Sequence, residues 1–303
     1  MEIGLTLPQF GRNASTFAIG RFAEVAEDLG FHSLWVSERL MWPVEPRGPY
    51  GGVPGAEWPD SEAVAFDPLE TLAYVAAKTE RVRLGTGVVD ALFHPPLTLS
   101  KRLATLDLLS NGRLIAGLGQ GWAPEEFEAT GVPASRRGSG FEEYIACLRS
   151  CWAPDPVRFS GRAYRIAESL VLPKPLQAGG PPILVGAYAP VAIARAGRIA
   201  DGLMPIAASW EILETSIRLF REAARDAGRD PRRLQIAVCA ASYTTWHGAD
   251  QRPPLNGALG EIRRDLDRLR GLNVDHVYFG VNYDHSTLDM QLERMEGLVP
   301  LLS

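Results

Sequence analysis

Cysteine is scarce: three in 303 residues, Cys147, Cys151 and Cys239. An odd number this low argues against a disulfide framework. Cys147 and Cys151 stand one helical turn apart in "CLRSC" with no histidine or further cysteine beside them, so the expectation is buried small apolar residues in a reducing compartment and not a metal pair. No run of ~18 uncharged apolar residues occurs, which excludes a membrane-spanning helix. The start, "MEIGLTLPQFG", enters a strand pattern without a basic and apolar leader, so the reading is a soluble, cytoplasmic protein. Lysine and arginine nowhere cluster and the net charge is −5, which disfavours nucleic acid and anionic membrane as partners and leaves a small-molecule substrate. Linker-like Gly, Ser or charge runs are missing too, so residues 1–303 read as one domain.

What is present is a large stock of core-forming residues, 46% hydrophobic, arranged as short Val-, Ile- and Leu-rich runs alternating with helical patterns. Eight such units can be placed. Strands are expected at residues 3–7, 33–37, 83–88, 114–118, 183–185, 202–206, 236–241 and 276–281. Helices are expected at 17–29, 68–78, 97–109, 124–129 with 141–151, 190–199, 210–227, 257–269 and 288–301. An eightfold βα alternation predicts an α/β fold, a (β/α)8 TIM barrel with insertions, over an open doubly wound sheet. Two segments break the count. Residues 41–66 form a Pro- and Gly-rich connection after the second strand, carrying Trp42, Tyr50 and Trp58; a long loop on the C-terminal face of a barrel reads as a lid. Residues 152–182, with a hairpin-like "FSGRAY", enter a strand and read as a surface elaboration.

The chemistry that such a barrel usually carries is hard to find. Metal-dependent hydrolysis needs His and carboxylate ligands at strand ends, starting with HxH on the first, where this chain has "LPQFG" with Gln9. The five histidines, His32, His94, His247, His276 and His285, show no ligand spacing. A glycosidase needs two carboxylates; Glu38 and Asp90 follow strands two and three, but each has an ordinary explanation as a solvated loop residue. No GxSxG elbow or Cys-His arrangement occurs. A bound organic cofactor doing the chemistry is therefore favoured. "RLIAGLGQGWAPEEF" places Gly117, Gly119 and Gly121 as GxGxG after a strand, which is not the GxGxxG of a dinucleotide fold, and no acid follows at the required distance.

The stretch "RVRLGTGVVDALFHPPLTLSKRLATLDLLSNGRLIAGLGQGW" resembles the luciferase-like monooxygenase superfamily, in particular its coenzyme F420-dependent oxidoreductase branch. "LGFHSLWVSERL", "PKPLQAGGPPILVGAYAPVAIARAGRIADGLMP" and "GLNVDHVYFGV" match the same pattern in order, so the resemblance covers nearly the whole chain. It implies a luciferase-like barrel, usually a homodimer, holding a flavin-type ring at the C-terminal mouth.

That resemblance implies the following site. Thr86, Gly87 and Val88 would back the ring, with a non-prolyl cis peptide at Gly87–Val88, or be plain barrel core. Gln120 would contact the cofactor, while Gly117 and Gly119 would admit the ring or only let the helix pack. Gly186, Ala187, Tyr188 and Ala189 precede a helix start suited to a phosphate, or form an ordinary strand-to-helix turn with Pro190. The lid aromatics, with Gln9, His94 and Trp122, would face substrate. The chain departs from the branch's sugar-phosphate dehydrogenases, which place Asp-His where it has Glu38-Arg39 and a catalytic Glu where it has Trp122. An arginine is no general base and an indole no acid, so sugar-phosphate oxidation is not expected. Glu38 and Arg39 are the catalytic candidates, Glu38 on the cofactor and Arg39 orienting substrate or forming a rim ion pair. Coenzyme F420 is the expected cofactor, in an oxidoreductase that moves hydride to or from a small organic substrate. The alternatives are an FMN-dependent luciferase-like monooxygenase and a non-catalytic flavin-binding barrel.

Overall fold

The computed structural model describes residues 1–52, 55–240, 252–282 and 284–302. Val53 and Pro54 of the lid, His247, and Ala241 at the end of the expected seventh strand lie outside them. The apolar runs form strands β1 (Glu2–Thr6), β2 (Ser33–Val36), β3 (Arg83–Thr86), β4 (Val89–Asp90), β5 (Leu114–Gly119), β6 (Val157–Ser160), β7 (Arg165–Ser169), β8 (Ile183–Gly186), β9 (Gly202–Met204), β10 (Gln235–Ala240) and β11 (His276–Phe279). Parallel pairing runs β3-β2-β1-β11-β10-β9-β8-β5, and β5 returns to β3 through Leu84–Leu114 and Gly85–Ile115, closing a (β/α)8 barrel. Helices α1 (Thr16–Asp28), α2 (Pro68–Ala76), α3 (Pro96–Leu109), α4 (Pro124–Ala129), α5 (Ser139–Trp152), α6 (Pro190–Ile199), α7 (Trp210–Asp226), α8 (Leu259–Gly271) and α9 (Leu288–Leu298) cover it.

Outward residues of the strands join these helices in one large core, while Trp35, Ile115, Leu184, Met204, Ala237 and Tyr278 fill the lumen. The lower end of the lumen is tied by polar groups: His276 meets Ser33 Oγ at 2.5 Å and Glu2 Oε2 at 3.0 Å, and the Trp35 indole donates to Ser33 Oγ at 2.7 Å. Cys147 and Cys151 are buried on α5 among apolar neighbours, where burial pushes the Cys147 thiol up to about 12. None of the described helices is long and apolar enough to cross a membrane.

Three strand expectations are corrected. The third does not run through Val88: after Thr86 the Gly87–Val88 peptide is cis, and the chain rejoins the sheet as β4, where Val89 and Asp90 pair with Leu118 and Gly119. The sixth pairs continuously only to Met204, because Pro205 has no N–H for the ladder, and Ile206 keeps a single parallel bridge to Cys239. The eighth ends at Phe279. In 152–182, β6 and β7 form the antiparallel hairpin around "FSGRAY".

Candidate active site

A buried arginine ties the 41–66 loop to α4. Arg39, just beyond β2, is buried with its Nε 3.1 Å from Glu62 of the lid and its Nη1 3.1 Å from both oxygens of Glu126 on α4. The rings of Tyr50, Trp58 and Trp122 surround the guanidinium at 5.8, 5.3 and 4.9 Å. These rings also touch one another: Trp58 meets Trp122 at 4.8 Å and Trp42 at 5.3 Å, and Tyr50 meets Trp122 at 5.3 Å. Tyr50 Oη donates to Glu62 at 2.5 Å, the Trp58 indole to the Gly48 carbonyl at 2.9 Å, and Arg47 pairs with Glu128 at 2.7 Å. The guanidinium expected to orient a substrate, or to sit in a rim ion pair, is therefore already committed in a buried clasp. Burial raises the Glu62 pKa despite Arg39 and the Tyr50 hydroxyl.

Gln9 has a bracing task. Its amide donates to the Ser37 and Phe66 carbonyls at 2.8 Å each and accepts the Ser37 N–H at 2.7 Å, tying the ends of β1 and β2 to the far end of the lid. Both amide protons are thereby used.

The two carboxylates read as solvated loop residues are buried, with Glu38 7% and Asp90 6% exposed. They are also neighbours. Glu38 accepts the Asp90 N–H at 2.8 Å and meets His94 Nε2 at 2.7 Å; its own N–H bonds the Val88 carbonyl at 2.9 Å. Burial opposes a charged His94, but the hydrogen bond and charge of Glu38 outweigh it and raise the imidazole pKa. Asp90 Oδ1 accepts the Gly121 N–H at 3.0 Å.

The glycines of β5 make room for this arrangement. A Cβ on Gly117 would overlap the Thr86 carbonyl oxygen, and one on Gly119 would stand 2.6 Å from Val88 Cγ2 and 2.5 Å from Asp90 Oδ1. The GxGxG run thus lets the strand close against the interruption between β3 and β4. Thr86 Oγ1 donates to the Gly117 carbonyl at 2.7 Å across it. Gln120 turns sideways, its Oε1 accepting the Gly138 N–H at 3.0 Å at the start of α5.

Beyond β8, Gly186, Ala187, Tyr188 and Ala189 lead into α6, whose N-cap Ala189 offers no side-chain acceptor and whose first residue is Pro190. Pro190 has no N–H, and the Ala192 and Ile193 N–H groups donate to the Ala189 carbonyl at 2.8 and 3.0 Å, so the Val191 N–H and the helix dipole are what this start offers an anion. Tyr188 is half exposed, and a Cβ on Gly52 of the lid would stand 3.0 Å from its hydroxyl. The set fits a flat ring joined to a phosphate: small residues on the lumen side of β5 and β8, an uncapped helix start beside them, and aromatic rings over the β2–β5 side of the mouth.

Sequence reasoning gave no role to Glu62 and Glu126 and set Asp90 aside. An arginine directly after a strand, facing a loop that also carries acids, was the available signal.

This barrel, with an interrupted third strand and a lid after the second, belongs to the luciferase-like monooxygenase family, whose model matches residues 1–251. The chain is 32% identical to the F420-dependent hydroxymycolic acid dehydrogenase of Mycobacterium tuberculosis, over 70% of this chain and 55% of that one. It is 34% identical to the F420-dependent glucose-6-phosphate dehydrogenase of Amycolatopsis mediterranei, over 60% of this chain and 51% of that one. Both curated relatives extend well beyond the matched region. Among solved structures, monooxygenase RslO1 from Streptomyces bottropensis superposes with a TM-score of 0.80 at 25% identity, covering 99% of this chain and 98% of that one.

Proposed function

We propose that the chain is a coenzyme F420-dependent oxidoreductase that moves hydride between the deazaflavin and a small organic substrate beneath the lid, working as a cytoplasmic homodimer. The observation that carries this reading is the pairing of the Val88 interruption with the uncapped start of α6, in a family with F420-dependent dehydrogenases among the chain's relatives. The cofactor supplies a carbon that gives or takes hydride. Thr86, Gly87 and Val88 support its ring, and residues 186–189 take its phosphate through backbone N–H groups. Arg39 holds the lid over the site and keeps water from the reacting atoms. Lacking the His and Glu that the branch's sugar-phosphate dehydrogenases carry at positions 39 and 122, the chain is not proposed to act on sugar phosphates.

The test is titration of the apoprotein with F420 and, separately, with FMN. Ala189→Asp sets a negative charge at the helix start and is expected to weaken F420 binding about tenfold while the fold survives. Equal affinity in the variant would mean that the phosphate lies elsewhere. The likeness to a monooxygenase structure favours one competing reading: tight FMN binding with oxygen consumption would put FMN-dependent monooxygenation first.

A further inference from the structure

Asp90 closes β4 at the C-terminal end of the lumen. Its place follows from two close approaches. Cβ atoms on Gly186 and Gly119 would stand 2.8 and 2.6 Å from the two methyl groups of Val88, and the one on Gly119 also 2.5 Å from Asp90 Oδ1. Val88 packs with the lumen residues Trp35, Leu184, Met204 and Tyr278. The Asp90 carboxyl therefore shares the lumen side of Gly119 with Val88, one step nearer the mouth.

At 6% exposure this carboxyl has one oxygen on the Gly121 N–H, while Oδ2 accepts no hydrogen bond among the described residues. A poorly solvated carboxylate with one undonated oxygen costs more than the protonated acid does. The charged groups around it point the same way. Glu38 binds its backbone N–H, Glu126 lies beyond, and the cation in reach, Arg39, is shared between Glu62 and Glu126 at 3.1 Å. His94 is spent on Glu38, and among the described residues no ion pair reaches Asp90.

We propose that Asp90 is the proton donor and acceptor of the hydride transfer, in place of the acid and base missing at positions 39 and 122, acting on an alcohol–carbonyl couple. The assignment rests on the F420 reading above. A carboxyl with one free oxygen, turned into the lumen, suits a substrate whose oxygen gains or loses a proton as its carbon gains or loses hydride. In reduction, the carbonyl carbon receives hydride, the C=O π pair moves onto oxygen, and the Asp90 O–H bond breaks to protonate it. The carbonyl is reduced to an alcohol, the deazaflavin is oxidised, and water at the mouth returns a proton to Asp90. Oxidation of an alcohol runs the same steps backwards. Burial first, then Glu38 and Glu126, push the Asp90 carboxyl up to about 7, where one group both gives and takes a proton at neutral pH. Glu38 is a positioning residue here: held by His94 at 2.7 Å, it takes the Asp90 N–H at 2.8 Å and fixes the strand end that carries the carboxyl.

The test compares wild type with Asp90→Asn, which keeps an oxygen for the Gly121 N–H. Both are loaded with F420 and assayed on 2-propanol and acetone, cyclohexanol and cyclohexanone, and benzyl alcohol and benzaldehyde. Asp90→Asn is expected to bind F420 within about threefold of wild type and to lose about 10²–10⁴ in kcat. Infrared spectra of wild type should show a protonated-carboxyl band that titrates near neutrality and is missing from the variant. Retained kcat, or a lost kcat with the band intact, would overturn the assignment. So would a wild type that binds F420 and turns over none of these compounds. A wild type that binds no F420 refutes the cofactor reading itself, and the role of Asp90 in hydride transfer falls with it.

Discussion

Arg39→Met is expected to unclasp the lid while leaving the barrel folded. The substitution strands Glu62 and Glu126, whose side chains are 4% and 1% exposed, without the cation between them. Removing one partner of a buried ion pair costs about 3–5 kcal/mol, and the three rings lose a further cation–π contact each. The barrel does not bear that cost in full, because an opened lid returns Glu62 to water. The loss should therefore appear as local opening, with lid amides exchanging about 10²–10³-fold faster while those of β1 and β5 stay protected. The Leu40 N–H, which donates to Glu126 at 3.0 Å, is the sharpest reporter. Arg39→Lys should not rescue, since a single ammonium cannot meet both carboxylates in the fork geometry of a guanidinium. Glu62→Gln added to Arg39→Met should recover part of the protection. Unchanged exchange in Arg39→Met would mean that the aromatic contacts alone hold the lid.

The same clasp shows where the sequence is silent. Glu62 and Glu126 lie 23 and 87 residues from Arg39, and no local pattern links them; only the closure of β2 beside β3 and β5 brings the lid and α4 together. What depends on local period was legible. The eight βα units stand where the alternation places them, helix starts such as Pro124 and Pro190 fall at the expected residues, and among its described residues the Pro- and Gly-rich span at 41–66 holds no helix or strand beyond two short 3-10 turns. The break at Gly87–Val88 came from resemblance, since no composition or spacing encodes a peptide geometry. The GxGxG run was legible as a close approach but not as an approach to what: Gly117 and Gly119 meet Thr86, Val88 and Asp90 across the break between β3 and β4, some thirty residues earlier, and Gly121 meets Phe93 and Phe127. Glu38 and Asp90 looked like solvated loop acids because each stands at the end of an expected strand, whereas the break between β3 and β4 sets them against one another, with His94 on Glu38 and the β5 glycines beside Asp90.

Asp90→Asn is also expected to make the folded chain more stable than wild type at pH 8, by up to about 4 kcal/mol, with the gap closing toward pH 4. The ordinary aspartate value of 3.8 and the folded value of about 7 bound a window in which the folded chain holds a proton that the unfolded chain has released. Across that window the folded state binds more protons, so wild-type stability falls as pH rises, and it stops falling once Asp90 is ionised in both states. Below 3.8 the carboxyl is protonated in both, and its ionisation contributes nothing. Asparagine has no such ionisation. Glu62 and His94 also titrate with raised pKa values, but both are present in the two proteins and drop out of the difference. Urea midpoints at fixed ionic strength from pH 4 to 8 measure it, with a constant m-value required so that the shift reports stability. Parallel curves for the two proteins would show that Asp90 is charged at neutrality and cannot hold the proton that hydride transfer needs. A divergence that grows with pH would mark a residue whose burial weakens the fold at the pH where it works, as groups retained for chemistry commonly do.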